Sequence, residues 1–294
     1  SLQGVSTWVP IGTSSSNSFR AHIITDNNKK FNVFGFNGTL SPIGSGEYEG
    51  QMFPYLGVFG YIGTRAQIEN LTFKNNRLNI VLDNNYQMGE LYIGTIAGYI
   101  ATGARLNNIK VVDSETVNYN NYGGLKNIAA ENFTRGITLT NVDNVVSLNI
   151  YVGGVAGFMG TSMSGVTVYQ TINIADTYDS HIMYVGGAFG KLEAGAVVSG
   201  EFATILKTTN RVTQSSLGGV AGWSKGSIFN STVVTYIYSN GGYNLGGVFG
   251  RFEDDYTRYY ATDALKNDKS LGAYINNVEV TPMIFGAGKA QSVG

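Results

Sequence analysis

Glu253, Asp254 and Asp255 are three adjacent carboxylates, followed at once by Tyr256, Arg258, Tyr259 and Tyr260. Neighbouring carboxylates supply the oxygen ligands that calcium takes. Tyrosines offer an apolar face with a polar tip, suited to a sugar ring. The EF-hand spacing Asp-x-Asp-x-Asp-Gly is absent, and so is a Gly-Gly-x-Gly-x-Asp calcium repeat. Arg251, Arg258 and Lys266 balance the acids, which is also how a solvated loop is composed. The ligand-binding candidates are therefore Glu253, Asp254, Asp255, Tyr256, Tyr259 and Tyr260. Calcium is the one ion such a cluster would hold; no other cofactor and no dedicated metal site is expected.

Elsewhere the residues for a reaction centre are sparse. Only two histidines occur, His22 and His181, and there is no cysteine. No Gly-x-Ser-x-Gly elbow supports a Ser-His-Asp triad. Cleaving a polysaccharide needs carboxylates that converge, or calcium-binding acids with a Lys or Arg base. Glu69, Glu90, Asp113, Asp143, Asp176, Asp179, Glu193 and Glu201 instead fall at unrelated positions. No catalytic residue is expected.

Composition narrows the class further. Of 294 residues only 13% are charged, 40 are glycine and 4 proline, and the net charge is −1. That charge is too small to draw nucleic acid or an anionic membrane. No run approaches the roughly 18 apolar residues of a membrane helix. Val, Ile, Thr, Tyr and Phe punctuated by Gly and Asn are strand residues with turn residues between them. Ser1-Leu2-Gln3-Gly4 carries neither an initiator Met nor a basic-then-apolar leader, so a processed or excised chain is expected.

The elements that must position any site come from an internal repeat. A box recurs as Leu56-Gly57-Val58-Phe59-Gly60, Ile93-Gly94-Thr95-Ile96-Ala97-Gly98 and Val152-Gly153-Gly154-Val155-Ala156-Gly157. It returns as Val185-Gly186-Gly187-Ala188-Phe189-Gly190, Leu217-Gly218-Gly219-Val220-Ala221-Gly222 and Leu245-Gly246-Gly247-Val248-Phe249-Gly250. The closing residues Gly60, Gly98, Gly157, Gly190, Gly222 and Gly250 lie 38, 59, 33, 32 and 28 positions apart. After each box comes an apolar-x-Asn or apolar-x-Gly turn at Asn70, Asn108, Gly165, Gly200, Asn230 and Asn277. Its distance from the box is 10, 10, 8, 10, 8 and 27 residues.

Such a unit cannot bury itself alone and must stack on its copies. Repeated Gly inside strands predicts close backbone approach, and Asn suits the left-handed corner of a sharp turn. Stacked copies of Asn70, Asn108, Asn230 and Asn277 would form an amide ladder. Tyr55, Tyr92, Tyr151 and Tyr184, each just before a box, would form an aromatic stripe, either stabilising the stack or binding sugar or protein. About ten layers at ~4.8 Å each would give a rod of ~50 Å.

The Gly-Gly-Val-Ala-Gly and Gly-Gly-Val-Phe-Gly boxes with their Ile-x-Asn strands resemble GLUG-type repeats of bacterial surface proteins. Trp8-Val9-Pro10-Ile11-Gly12 and Ser41-Pro42-Ile43-Gly44 are similar to the Pro-Ile-Gly segments that precede such repeats. The resemblance implies an all-β, right-handed parallel β-helix, a solenoid exported to the cell surface. Some relatives accompany IgA-cleaving metallopeptidases, but this chain has no His-Glu-x-x-His motif and that activity is not carried over.

The expected organisation is one continuous domain. Residues 1–54 form an N-terminal cap and first variant rungs, and 55–294 the repeats. Insertions fall near 118–136, as a loop or a degenerate rung, and near 251–269, with a short helix at 259–266. Solenoid insertions emerge from one face and often carry binding. The expected function is a non-catalytic extracellular adhesion module that binds a host or neighbouring-cell protein or glycan through its flank or loops. A subunit stacking end to end into a filament is the alternative, and a polysaccharide-degrading enzyme the third.

Overall fold

The computed structural model describes residues 8–24, 31–34, 36–82, 85–112, 136–141, 147–175, 181–208, 214–240, 244–253, 273–286 and 292–293. Among them the chain is all-β, with one 3-10 turn at Gly46–Tyr48 and no α-helix. Its strands form three sheets of 7, 6 and 13 strands, and the pairings between strands are parallel.

The chain visits these sheets in the same order again and again. Each box enters on the 7-stranded sheet, for example at Asn149–Gly153, turns at Gly154-Val155, and leaves on the 6-stranded sheet at Ala156–Met159. It then runs through the 13-stranded sheet, as in Met163–Ala175, Val197–Thr208 and Ser227–Ser239. Each strand pairs with its counterpart one module away, so equivalent residues stack in columns. One column runs Ile23, Ile68, Leu106, Met163, Val198, Ile228, Ile275. Among the described residues this column has seven members, which at ~4.8 Å per step spans about 30 Å. The core is the set of inward columns, made mostly of Ile, Leu, Val and Phe.

The box glycines exist because the two box sheets touch backbone to backbone. A Cβ on Gly157 would sit 2.5 Å from the amide nitrogen of Ile93 in the layer before it. The middle glycine answers to a different neighbour. A Cβ on Gly187 would sit 2.5 Å from the Thr204 hydroxyl, and Gly154 and Gly219 likewise face Gln170 and Thr235. Gln170, Thr204 and Thr235 stack in one buried column. Thr95, the one residue replacing a middle glycine, donates to Gln170 Oε1 at 3.4 Å.

Both long insertions leave the layers undisturbed. Lys110–Val112 pairs with Leu71–Lys74, and Gly136–Asn141 pairs with Arg77–Leu82. Residues 113–135, which stand in the sequence where the preceding layer has its Asn75-Asn76 corner, lie outside the described residues. Likewise Ser224 aligns with Phe252 and Ile228 with Ile275, so the second insertion replaces the short corner at 225–227. The strands that flank the two insertions meet at different corners of the layer. The expected helix at 259–266 lies outside the described residues. Residues 8–40 already pair as a parallel layer, through Ile11↔Phe59, Phe19↔Ile62, His22↔Gln67, Phe31↔Leu71 and Asn37↔Arg77.

Candidate functional site: a polar groove beside an aromatic corner

The apolar-x-Asn turns line the concave corner where the 13-stranded sheet bends. Asn70, Asn108, Asn230 and Asn277 have φ of 56°, 51°, 43° and 50°, the left-handed region that Asn tolerates better than most residues. Their amides join in pairs: Asn108 Nδ2 donates to Asn70 Oδ1, and Asn277 Nδ2 to Asn230 Oδ1, each at 2.6 Å. Gly165 and Gly200 interrupt the ladder between the pairs, where the register of the paired strands also shifts.

Beside this corner runs a groove of about 580 Å³, with Asn108, Asn230 and Asn277 along its wall. Its floor is one outward row in strict register: Lys110, Thr167, Glu201, Thr232 and Glu279. Lys110, Glu201 and Glu279 sit on alternate strands, about 10 Å apart, with threonines between them. Ser199 and Ser231 add hydroxyls, and among the described residues no aromatic side chain lines the groove. The Tyr169 hydroxyl donates to Glu201 at 2.5 Å, and burial followed by this bond pushes that phenol well above its ordinary range. The lining thus offers hydrogen-bonding groups along an extended path rather than an enclosed pocket.

The tyrosine stripe forms as the sequence suggested, and its inner rings stack on one another. Tyr92 and Tyr151 stack at 4.7 Å and 7°, and Tyr151 and Tyr184 at 5.2 Å and 11°. A second column beside it runs Tyr61, Tyr99, Phe158, Lys191, Trp223, Arg251. Tyr99 lies 4.1 Å from Phe158, and Lys191 sits 4.5 Å from the Trp223 ring. Within the stripe the rings stack on one another or meet a cation, so its inner members present edges and hydroxyls outward. Burial, and after it the Glu90 carboxylate, raises the Tyr92 phenol far above its usual range. The stripe stabilises the stack.

No family model, curated protein or solved structure matches this chain. The site must therefore be read from its own geometry.

Of the carboxylate cluster, Glu253 alone is described. It follows the strand Phe249–Phe252, its N–H donates to the Ser224 carbonyl, and its carboxylate pairs with Arg251. Asp254, Asp255, Tyr256, Tyr259 and Tyr260 lie outside the described residues. His22 is exposed, its Nε2 3.2 Å from the Arg65 carbonyl. His181 is fully buried and its Nδ1 accepts the Leu148 N–H at 3.1 Å. Burial lowers its pKa to about 4, so the ring is neutral at pH 7 and braces the loop before the box. Gly60, Gly98, Gly157, Gly190, Gly222 and Gly250 all sit on the 6-stranded sheet, as backbone contacts rather than ligands.

Sequence reasoning missed the groove row. Lys110, Glu201 and Glu279 are 91 and 78 positions apart in the chain, and no motif joins them. The available signal was positional: each stands two residues after the turn Asn108, one after Gly200, and two after Asn277. Among the described residues no helix is long and apolar enough to cross a membrane, and no group of three His, Cys, Asp or Glu gathers for a metal.

Proposed function

We propose that this chain is a non-catalytic binding module of the cell exterior, a right-handed parallel β-helix that holds an extended polar ligand along its flank. The solenoid reading is supported by the parallel pairing of each strand with its counterpart one module away and by the fixed order in which the chain visits three sheets. The exported setting is supported by the resemblance of the boxes to GLUG-type surface repeats.

The groove carries the functional reading. An open trough crossed by Lys110, Thr167, Glu201, Thr232 and Glu279 suits a polyhydroxylated chain, because its groups repeat along the stacking axis. A glycan is the ligand class with that chemistry. Glu201 is engaged by Tyr169 and Glu279 lies two strands away, so the groove reads as a surface for hydrogen bonding rather than a pair of acids closing on one bond.

Binding of the purified chain to a glycan array tests the proposal. Lys110→Ala with Glu279→Ala is expected to weaken the best ligand at least tenfold while the melting transition stays put. Loss of binding only in Tyr256→Ala with Tyr259→Ala and Tyr260→Ala would move the site to the inserted loop. Absence of any glycan ligand would refute the reading.

A further inference from the structure

The amide ladder along the concave corner is broken in its middle. Both intact pairs run in one sense: Nδ2 of the later layer donates to Oδ1 of the earlier one, as Asn108 to Asn70 and Asn277 to Asn230. The two layers between the pairs supply no amide at this corner. In the first, Gly165 keeps the left-handed turn at φ +66° without a side chain. In the second, the corner is one residue shorter than on either side. Val198 and Gly200 pair with Met163 and Val166, which leaves Ser199 alone opposite Ser164 and Gly165. On the other side, Ser199 and Gly200 stand opposite Phe229, Asn230 and Ser231.

This gap is open, and it is polar at both ends. A Cβ on Gly165 would meet nothing closer than the Asn108 Cα at 3.5 Å. Asn108, Gly165, Ser199, Gly200 and Asn230 all line the groove, so the gap opens into it. Continued in the same sense, the ladder would set a donor on Asn108 Oδ1 and an acceptor on Asn230 Nδ2. Among the described residues neither atom has a hydrogen-bond partner. Asn108 and Asn230 are three layers apart, which at ~4.8 Å per step is about 14 Å, or room for two rungs.

We propose that the ligand supplies the amides that the chain does not, so that the groove selects glycans carrying acetamido groups; this choice of sugar class rests on the glycan reading of the groove. Like a peptide group, an acetamido substituent is planar and trans, so its N–H and C=O point in opposite directions. A ladder rung needs that arrangement. The acetamido N–H donates to Asn108 Oδ1, and the methyl takes the space that Gly165 leaves beside the turn. The carbonyl is then turned toward the next rung, where a second acetamido group or a ring hydroxyl reaches Asn230 Nδ2. A protonated amino group in the same place offers donors only, and a hydroxyl has no second arm to join two rungs.

A glycan array followed by calorimetric titration tests it. The glycans retained are expected to carry acetamido groups, and the best of them to bind at least tenfold tighter than the same glycan after removal of its acetyl groups. Gly165→Asn fills the first rung from within the chain. It should leave the melting transition no lower and reduce that preference to about twofold or less. Asn230→Asp keeps the acceptor that Asn277 uses and removes the donor, and should weaken the acetylated glycan about fivefold. Glycans that bind as tightly without acetyl groups as with them would overturn the proposal and leave the glycan reading standing. So would unchanged binding of the acetylated glycan by folded Gly165→Asn and Asn230→Asp. Absence of any glycan ligand would overturn both.

Discussion

Asn108 donates its side-chain amide to Asn70 across the layer boundary while both backbones hold a left-handed turn. One residue type thereby satisfies the corner and ties it to its neighbour.

That pairing predicts a stabilising substitution. Gly165 occupies the next ladder position at φ +66°, and a Cβ there would meet nothing closer than the Asn108 Cα at 3.5 Å. Gly165→Asn is expected to raise stability by about 0.5 kcal/mol, through a third amide bond and a less flexible unfolded chain. Gly200→Asn should do the reverse, because its Cβ would overlap the Val166 carbonyl. Thermal melts of both variants decide the matter.

Box glycines should be intolerant for steric rather than conformational reasons. Gly157→Ala is expected to cost about 3 kcal/mol or to prevent folding, since the opposing Ile93 amide is backbone and cannot swing away. Gly89→Ala, at φ +76° with open space around it, should cost only ~1 kcal/mol of left-handed strain. Urea denaturation separates the two.

Stability should fall in mild acid because of His181. The unfolded ring takes up a proton near its ordinary 6.5, whereas the buried ring resists it down to about 4. The contribution is complete above pH 6.5, declines through that window, and is gone below pH 4. Its size is on the order of 2 kcal/mol, allowing for partial screening. His181→Gln should flatten the fall between pH 6.5 and 4 relative to the parent. An unchanged slope would exclude this assignment.

The aromatic corner should depend on rings more than on hydroxyls. Tyr151, between Tyr92 and Tyr184, should lose about 3 kcal/mol on replacement by Ala. Tyr92→Phe removes only the 2.9 Å bond to Glu90 and should cost ~1 kcal/mol. Chemical denaturation of the pair measures the difference.

Much of this was legible in the chain, for a physical reason. A glycine that faces backbone and an asparagine that turns left-handed are each demanded by local geometry, so they recur wherever the layer recurs. Gln170, Thr204 and Thr235 were not legible. Their polarity has meaning only once each lies under the middle glycine of a box, a neighbour created by folding. The groove row was hidden for the same reason, since Lys110 and Glu279 share a surface only through the three strands between them. Residues 8–24 and 31–40 were legible only as a cap with variant rungs, because they lack the box although they keep its pairing.

Successive closing glycines of the box lie from 28 to 59 residues apart, yet the strands on both sides of each long insertion remain in register. Length is thus uncoupled from alignment. Corners can be lengthened, shortened or exchanged without renegotiating a single strand pairing, and the chain can acquire new surface loops while its interior stays the same. Such a protein is equipped to diversify at its corners faster than it drifts at its core.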